Sequence, residues 1–84
     1  MDKHYTLWVK SHCPFCIKAK DALYANKLDH TIHIMDDRLE ELDELKEKWN
    51  HFTVPLITLE DGKQPELIGG YTDLKKHFGS ENDD

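Results

Sequence analysis

Tyr5, Leu7 and Val9 alternate with Thr6, Trp8 and Lys10, a period of two that predicts a β-strand ending just before Cys13. From Cys16 to about Leu28, Ala19, Ala22, Leu23 and Ala25 recur among Lys18, Lys20, Asp21 and Lys27 with no Gly or Pro between them, and that spacing predicts a helix. Pro14 fits its first turn, where a missing N–H is harmless. Asp29 to Met35 is rich in β-branched residues and predicts a second strand. Asp36-Asp37 then opens a second helix whose apolar stripe is Leu39, Leu42, Leu45 and Trp49, the leucines being expected in the core. Phe52 to Leu59 and Glu66 to Ile68 flank the turn Glu60-Asp61-Gly62-Lys63, as in a hairpin. Gly69-Gly70 breaks it, Asp73 to Phe78 can form a short last helix opened by Thr72, and residues 80–84 read as a frayed acidic tail.

Strand, helix, strand, helix, strand, strand, helix is an α/β order. The first three elements make a right-handed crossover with two parallel strands, and the hairpin adds two antiparallel ones. The expected architecture is a four-stranded mixed sheet with helices on both faces, in one domain over residues 1–84. A core this small leaves no room for a buried chamber, so an active site must lie at the surface. The 84 residues hold 11 Lys and Arg against 17 Asp and Glu, a net charge of −6, with the basic residues scattered. That pattern argues against a nucleic-acid partner, whose phosphates require clustered positive charge. No apolar run approaches the roughly 20 residues of a membrane span, and no apolar signal region precedes the first strand. No membrane partner and a cytoplasmic location are expected.

The two cysteines are separated by only Pro14 and Phe15, a loop too small to staple a fold. Residues three apart at a helix start have β-carbons about 5–6 Å apart, so a small adjustment closes a disulfide. Unpaired N–H groups at a helix N-terminus favour a thiolate, and Cys13 is placed to benefit. Lys10 and His12 add positive charge on the same side. Cys16, one turn further in, is expected to be more buried, to remain a thiol, and to attack a mixed disulfide formed at Cys13. A zinc site is the competing reading, but no second Cys pair exists, and His4, His12, His30, His33, His51 and His77 lack a ligand spacing that would complete four ligands. Cys-x-x-C beside a βαβ pattern points instead to redox chemistry.

From Tyr5 to Phe78 the chain resembles the glutaredoxins, the glutathione-using branch of the thioredoxin fold. The resemblance rests on Lys10-Ser11-His12-Cys13-Pro14-Phe15-Cys16, Thr53-Val54-Pro55 and Gly69-Gly70-Tyr71-Thr72-Asp73-Leu74, in that order. It implies a cis-proline at Pro55 facing the cysteines, with Thr53 and Val54 beside it and the Val54 backbone pairing with the cysteinyl part of glutathione. It implies that Gly70 lets backbone approach a ligand, that Thr72 and Asp73 hold the γ-glutamyl end, and that Lys10 pairs with the glycyl carboxylate. Phe15 stands where many relatives carry Tyr and keeps the aromatic wall of the groove. Where relatives offer Arg or Gln before Thr53, His51 is the nearest match in register, with a charge that depends on pH. Tyr71 replaces a smaller residue and either narrows the groove or stacks on a substrate. Trp8 and Trp49 read as core or rim aromatics.

The implied function is glutathione-dependent reduction of protein disulfides and glutathione mixed disulfides by Cys13 and Cys16, with glutathione as co-substrate and no bound cofactor or metal. The expected partners are disulfide-bearing or glutathionylated proteins, ribonucleotide reductase being one that the family commonly serves, and the expected state is a monomer. Two alternatives stay open. One is a small redoxin reduced by thioredoxin reductase, although such chains usually lack the Thr72-Asp73 clamp. The other is a dimer holding an iron–sulfur cluster, against which Pro14 and Cys16 argue because members of that type typically carry a small residue at the first position and often lose the second Cys.

Overall fold

The computed structural model describes residues 3–62 and 64–82. Its elements are β1 (Lys3–Val9), α1 (Pro14–Ala25), β2 (His30–Ile34), α2 (Leu39–Trp49), β3 (Leu56–Asp61), β4 (Glu66–Gly69) and α3 (Tyr71–Asn82). The sheet runs β2-β1-β3-β4. β1 is parallel to β2, with Leu7 opposite Ile32. It is antiparallel to β3, with Leu7 opposite Ile57, and β3 is antiparallel to β4. The thioredoxin-like arrangement implied by the three motifs is therefore present: a parallel pair plus an antiparallel hairpin, with three helices.

The alternation in β1 explains where the core lies. Tyr5, Leu7 and Val9 are buried on one face and pack with Cys16, Ala19 and Leu23 of α1 and Leu74 of α3. Ala19 has no exposed surface, and its small side chain lets α1 sit close to the sheet. Burying a residue such as Leu7 or Leu23 contributes about 1.5–3 kcal/mol each. Thr6 and Trp8 point to the other face and are only half-buried; α2 covers this face, its Leu45 and Lys48 sharing a groove with Trp8 and Met35. Trp8 stacks on His33 at 5.6 Å. Trp49 is also half-buried, so both tryptophans are rim aromatics. Glu40 and Glu41 in the first turn of α2, with Lys46 and Lys48 in the last, complement its dipole.

The structure departs from the sequence expectations in several places, beginning with α1, which ends at Ala25 with Asn26 as its cap rather than near Leu28. Leu39 is 49% exposed rather than core, being the first residue of α2 after Arg38. β3 begins at Leu56, since Phe52 to Pro55 form an irregular connection. α3 starts at Tyr71 and continues through residues 80–82, which were expected in the tail; 83 and 84 lie outside the described residues. Tyr5 holds the far end of that helix: its hydroxyl lies 3.1 Å from His77 Nε2 and its ring meets Phe78 edge-on at 6.0 Å. No helix among the described residues is long and apolar enough to cross a membrane.

Candidate active site

The parallel register of β1 and β2 sets the site's position. Val9 is opposite Ile34, and the Met35 N–H donates to the Val9 carbonyl at 2.8 Å, so both strands end at one level and their following loops emerge side by side. There Asp36 binds the first loop. Its Oδ1 accepts from the Ser11 N–H at 3.0 Å, its Oδ2 accepts from the Ser11 hydroxyl, and that hydroxyl lies 3.1 Å from His12 Nδ1. The two hydrogen bonds from Ser11, helped by the charges of His12 and Lys10, hold the Asp36 carboxyl below its ordinary pKa. Protection of the Ser11 amide should therefore be present at neutral pH and be lost in acid below the usual carboxylate range. In Asp36→Ala that amide should exchange fast at any pH, which hydrogen exchange measures.

Past Ser11 the chain turns into α1. Cys13 is the N-cap, in an extended conformation with φ −118° and ψ 109°. Its Sγ accepts from the Cys16 N–H at 3.2 Å, and its carbonyl accepts from the Ile17 N–H at 3.1 Å. A sulfur thus occupies the position that Ser, Thr or Asp usually fills, and Pro14 follows at the first helical position. Cys13 is half-buried and Cys16 is 3% exposed, both as free thiols. Burial, reinforced by the hydrogen bond with Cys13, pushes the Cys16 thiol up to about 12 from an ordinary 9.0. Folded Cys16 keeps its proton where the unfolded chain has lost it, so the contribution is intact below pH 9 and disappears as pH climbs toward about 12. Denaturant melts of the reduced protein should show stability falling by up to about 1.4 kcal/mol per pH unit in that window, a slope missing from Cys16→Ser.

A second set of residues converges from β3 and α3. The Cys13 thiol points at the Val54 carbonyl, 3.9 Å away, and the Val54-Pro55 peptide is cis, as the resemblance implies. Gly70 faces this connection so closely that a Cβ there would lie 3.6 Å from the Pro55 carbonyl and 3.7 Å from His51 Nε2. His51 Nε2 also lies 3.2 Å from Thr53 Oγ1, so the replacement for the usual Arg or Gln does border the Thr-Val-Pro segment. Gly70 rather than Thr72 precedes the first turn of α3, and Asp73 reaches back to take the Gly70 N–H at 3.1 Å, half of a capping box. One carboxylate oxygen of Asp73 is thereby engaged at the helix start, and Thr72 is exposed beside it.

Phe15 and Tyr71 stack at 6.1 Å, and Lys18 Nζ lies 5.5 Å from the first ring and 6.0 Å from the second. The stack joins the first turn of α1 to the first residue of α3. Lys10 is half-buried, and its charge acts on Asp36, as does that of His12, so part of the positive charge expected beside Cys13 faces a carboxylate. Sequence reasoning missed Asp36 and Lys18. Lys18 had a usable signal, its one-turn spacing from Phe15, whereas Asp36 lies 25 residues from Ser11 and meets it only through the strand register. Among the described residues no three or more His, Cys, Asp or Glu side chains cluster so as to hold a metal ion.

The architecture has known counterparts. A wheat glutaredoxin crystal structure superposes with a TM-score of 0.77 at 23% identity, covering 92% of this chain and 71% of that one. Glutaredoxin 1 from Francisella tularensis, solved in complex with cacodylate, gives a TM-score of 0.73 at 26% identity, covering 98% of this chain and 99% of that one. No curated protein sequence matches. The glutaredoxin family model matches residues 5–63. That stretch runs from the first strand through the cysteine pair, the parallel crossover and the third strand, well over half of the sequence, and the chain therefore belongs to the glutaredoxin family.

Proposed function

We propose that this protein is a glutathione-dependent thiol–disulfide oxidoreductase, with Cys13 as nucleophile and Cys16 as resolving thiol. Family and fold support the oxidoreductase role itself. The observation that carries the reading is the Cys13 sulfur at a helix N-terminus, half-buried and 3.9 Å from the carbonyl of Val54, next to the cis-proline. In this reading the Cys13 thiolate attacks the glutathione-side sulfur of a mixed disulfide, the S–S bond breaks, and the released thiolate takes up a proton. A second glutathione thiolate then attacks the Cys13-bound sulfur, leaving oxidised glutathione and reduced Cys13. With a protein disulfide, Cys16 loses its proton, attacks Cys13 and expels the reduced protein, and two glutathione molecules reopen the Cys13–Cys16 bond.

The residues around Cys13 support glutathione as co-substrate. Val54 offers backbone to its cysteinyl part in the manner of an added strand, and Pro55 and Thr53 shape that wall. The N-terminus of α3 at Gly70 and Thr72, with Asp73, receives the γ-glutamyl end. Lys10 and His51 receive the glycyl carboxylate, while Phe15 and Tyr71 flank it. The acceptors in this reading are disulfide-bearing or glutathionylated proteins, ribonucleotide reductase among them, and the protein works as a cytoplasmic monomer. The test is to reduce the oxidised protein with NADPH through glutathione and glutathione reductase, and separately through thioredoxin reductase. Fast turnover is expected in the first assay; fast turnover in the second alone would overturn glutathione dependence.

A further inference from the structure

On the side of α1 away from Val54 and Tyr71 the sheet ends in β2, which among the described residues has β1 on one side and no strand on the other. Its outer N–H and C=O groups form an open edge. Edge strands of this kind are usually guarded by Lys, Pro or a covering loop, and His30–Ile34 carries neither Lys nor Pro. Between this edge and the first two turns of α1 lies a groove of about 160 Å³. Val9 and the otherwise buried Cys16 reach it from the core, and Ile17, Ile32 and Ile34 form its apolar walls. Ile17 is 49% exposed and Ile34 57%, so both are left largely uncovered. Lys10 and Lys20 stand at its rim, and no acidic residue lines it. Lys10 shares its charge with Asp36, which binds the lining residue Ser11, so Lys20 is the charge that the rim presents to a partner.

We propose that this groove docks the protein partner whose disulfide Cys13 attacks, receiving an extended segment that carries one apolar side chain flanked by Asp or Glu. The proposal rests on the thiol–disulfide reading of Cys13 and extends it from the small co-substrate to the protein half of the substrate. An added strand can pair its backbone with β2 while its apolar side chain enters the isoleucine-walled space and a flanking carboxylate meets Lys20, Lys10 being left to the glycyl carboxylate of glutathione. The volume suits a leucine-sized group. Cys16 lies one helical turn, about 5.4 Å, from Cys13, so at about 3.3 Å per residue the docking segment starts about two residues from the reacting cysteine. Glutathione and the partner segment then lie on opposite sides of the Cys13 sulfur, and a glutathionylated protein can engage both at once.

The test compares two short glutathionylated peptides, one with Glu-Leu-Asp beginning about two residues from its cysteine and one with Lys-Ser-Lys there. A small glutathione mixed disulfide with β-mercaptoethanol serves as reference. The acidic peptide should be deglutathionylated with a kcat/KM about five- to tenfold above its basic counterpart. Lys20→Glu and Ile34→Ser should each remove most of that preference while leaving turnover of the small disulfide unchanged. Equal kcat/KM for the two peptides, or variants that lose both peptide and small-disulfide turnover in proportion, would overturn the docking role. A separate arm uses the acidic peptide with serine in place of its cysteine. Amide shifts of labelled protein should then concentrate at Ile17, Ile32 and Ile34, and shifts elsewhere or none at all would overturn it. Absence of turnover on every glutathionylated substrate, with those shifts intact, would sink the glutathione reading alone.

Discussion

Cys13→Ser should abolish glutathionyl transfer, with kcat/KM for a small glutathione mixed disulfide falling about a thousandfold or more, because the hydroxyl that replaces the sulfur is not ionised near neutral pH. The fold should survive, since serine is itself a preferred N-cap and can accept from the Cys16 N–H as the sulfur does. Cys16→Ser should behave differently. Cys16 is buried and holds its proton, its thiol lying at about 12, so it takes no part in the first attack. On a glutathione mixed disulfide, where a second glutathione completes the cycle, the Cys16 variant should stay within about threefold of the native enzyme; on a protein disulfide it should stall as a mixed disulfide visible by mass spectrometry. Equal loss in both variants on the small substrate would show that the division of roles is wrong.

Gly69→Ala should be the most damaging substitution away from the cysteines. Gly69 has φ +122°, a region L-residues rarely adopt, and an added Cβ would lie 2.3 Å from Asp73 Oδ2 and 2.9 Å from its Cβ. Backbone strain of this kind costs about 1–3 kcal/mol, and displacing Asp73 also removes the acceptor of the Gly70 N–H. A loss of about 2–4 kcal/mol is expected, which for a domain of this size lowers the melting temperature by roughly 10–25 °C. Calorimetry reads it directly. Gly62 offers the contrast: a Cβ there meets nothing within 4 Å, so only the strain of its φ of +79° should be felt.

The elements with a clean period were legible in the sequence. β1 alternates without a fault, α1 has its apolar positions at helical spacing, and the hairpin is framed by an Asp-Gly turn. Errors gathered where a local signal had two meanings. Gly69-Gly70 read as a break, yet Gly70 directly precedes α3 and accepts from the Leu74 N–H, so the helix opens two residues before Thr72 and the polar cap is the neighbouring Asp73 on the Gly70 N–H. Gly79 and the acidic residues after it argued for an ending that the helix does not respect. In the site, the three motifs fall together at one end of the sheet because each follows or precedes a strand that ends there. The pairing of Ser11 with Asp36 was out of reach, since nothing in either residue's neighbourhood announces the other and only the β1–β2 register brings them into contact.

The sulfur that caps α1 has a consequence of its own. A cap is ordinarily a fixed structural part, but here the acceptor of the Cys16 N–H is the atom whose bonding changes in a thiol–disulfide cycle. An anionic sulfur is a stronger hydrogen-bond acceptor than a neutral one, and a sulfur tied into a disulfide is weaker than the thiolate. The helix's first turn and the redox pair thus share one atom, and closing or opening the Cys13–Cys16 bond acts directly on the cap of α1. Any partner that contacts Pro14, Phe15 or Ile17 meets a slightly different surface in the two states, so the helix end is itself a readout by which charged and spent forms of the molecule can be told apart.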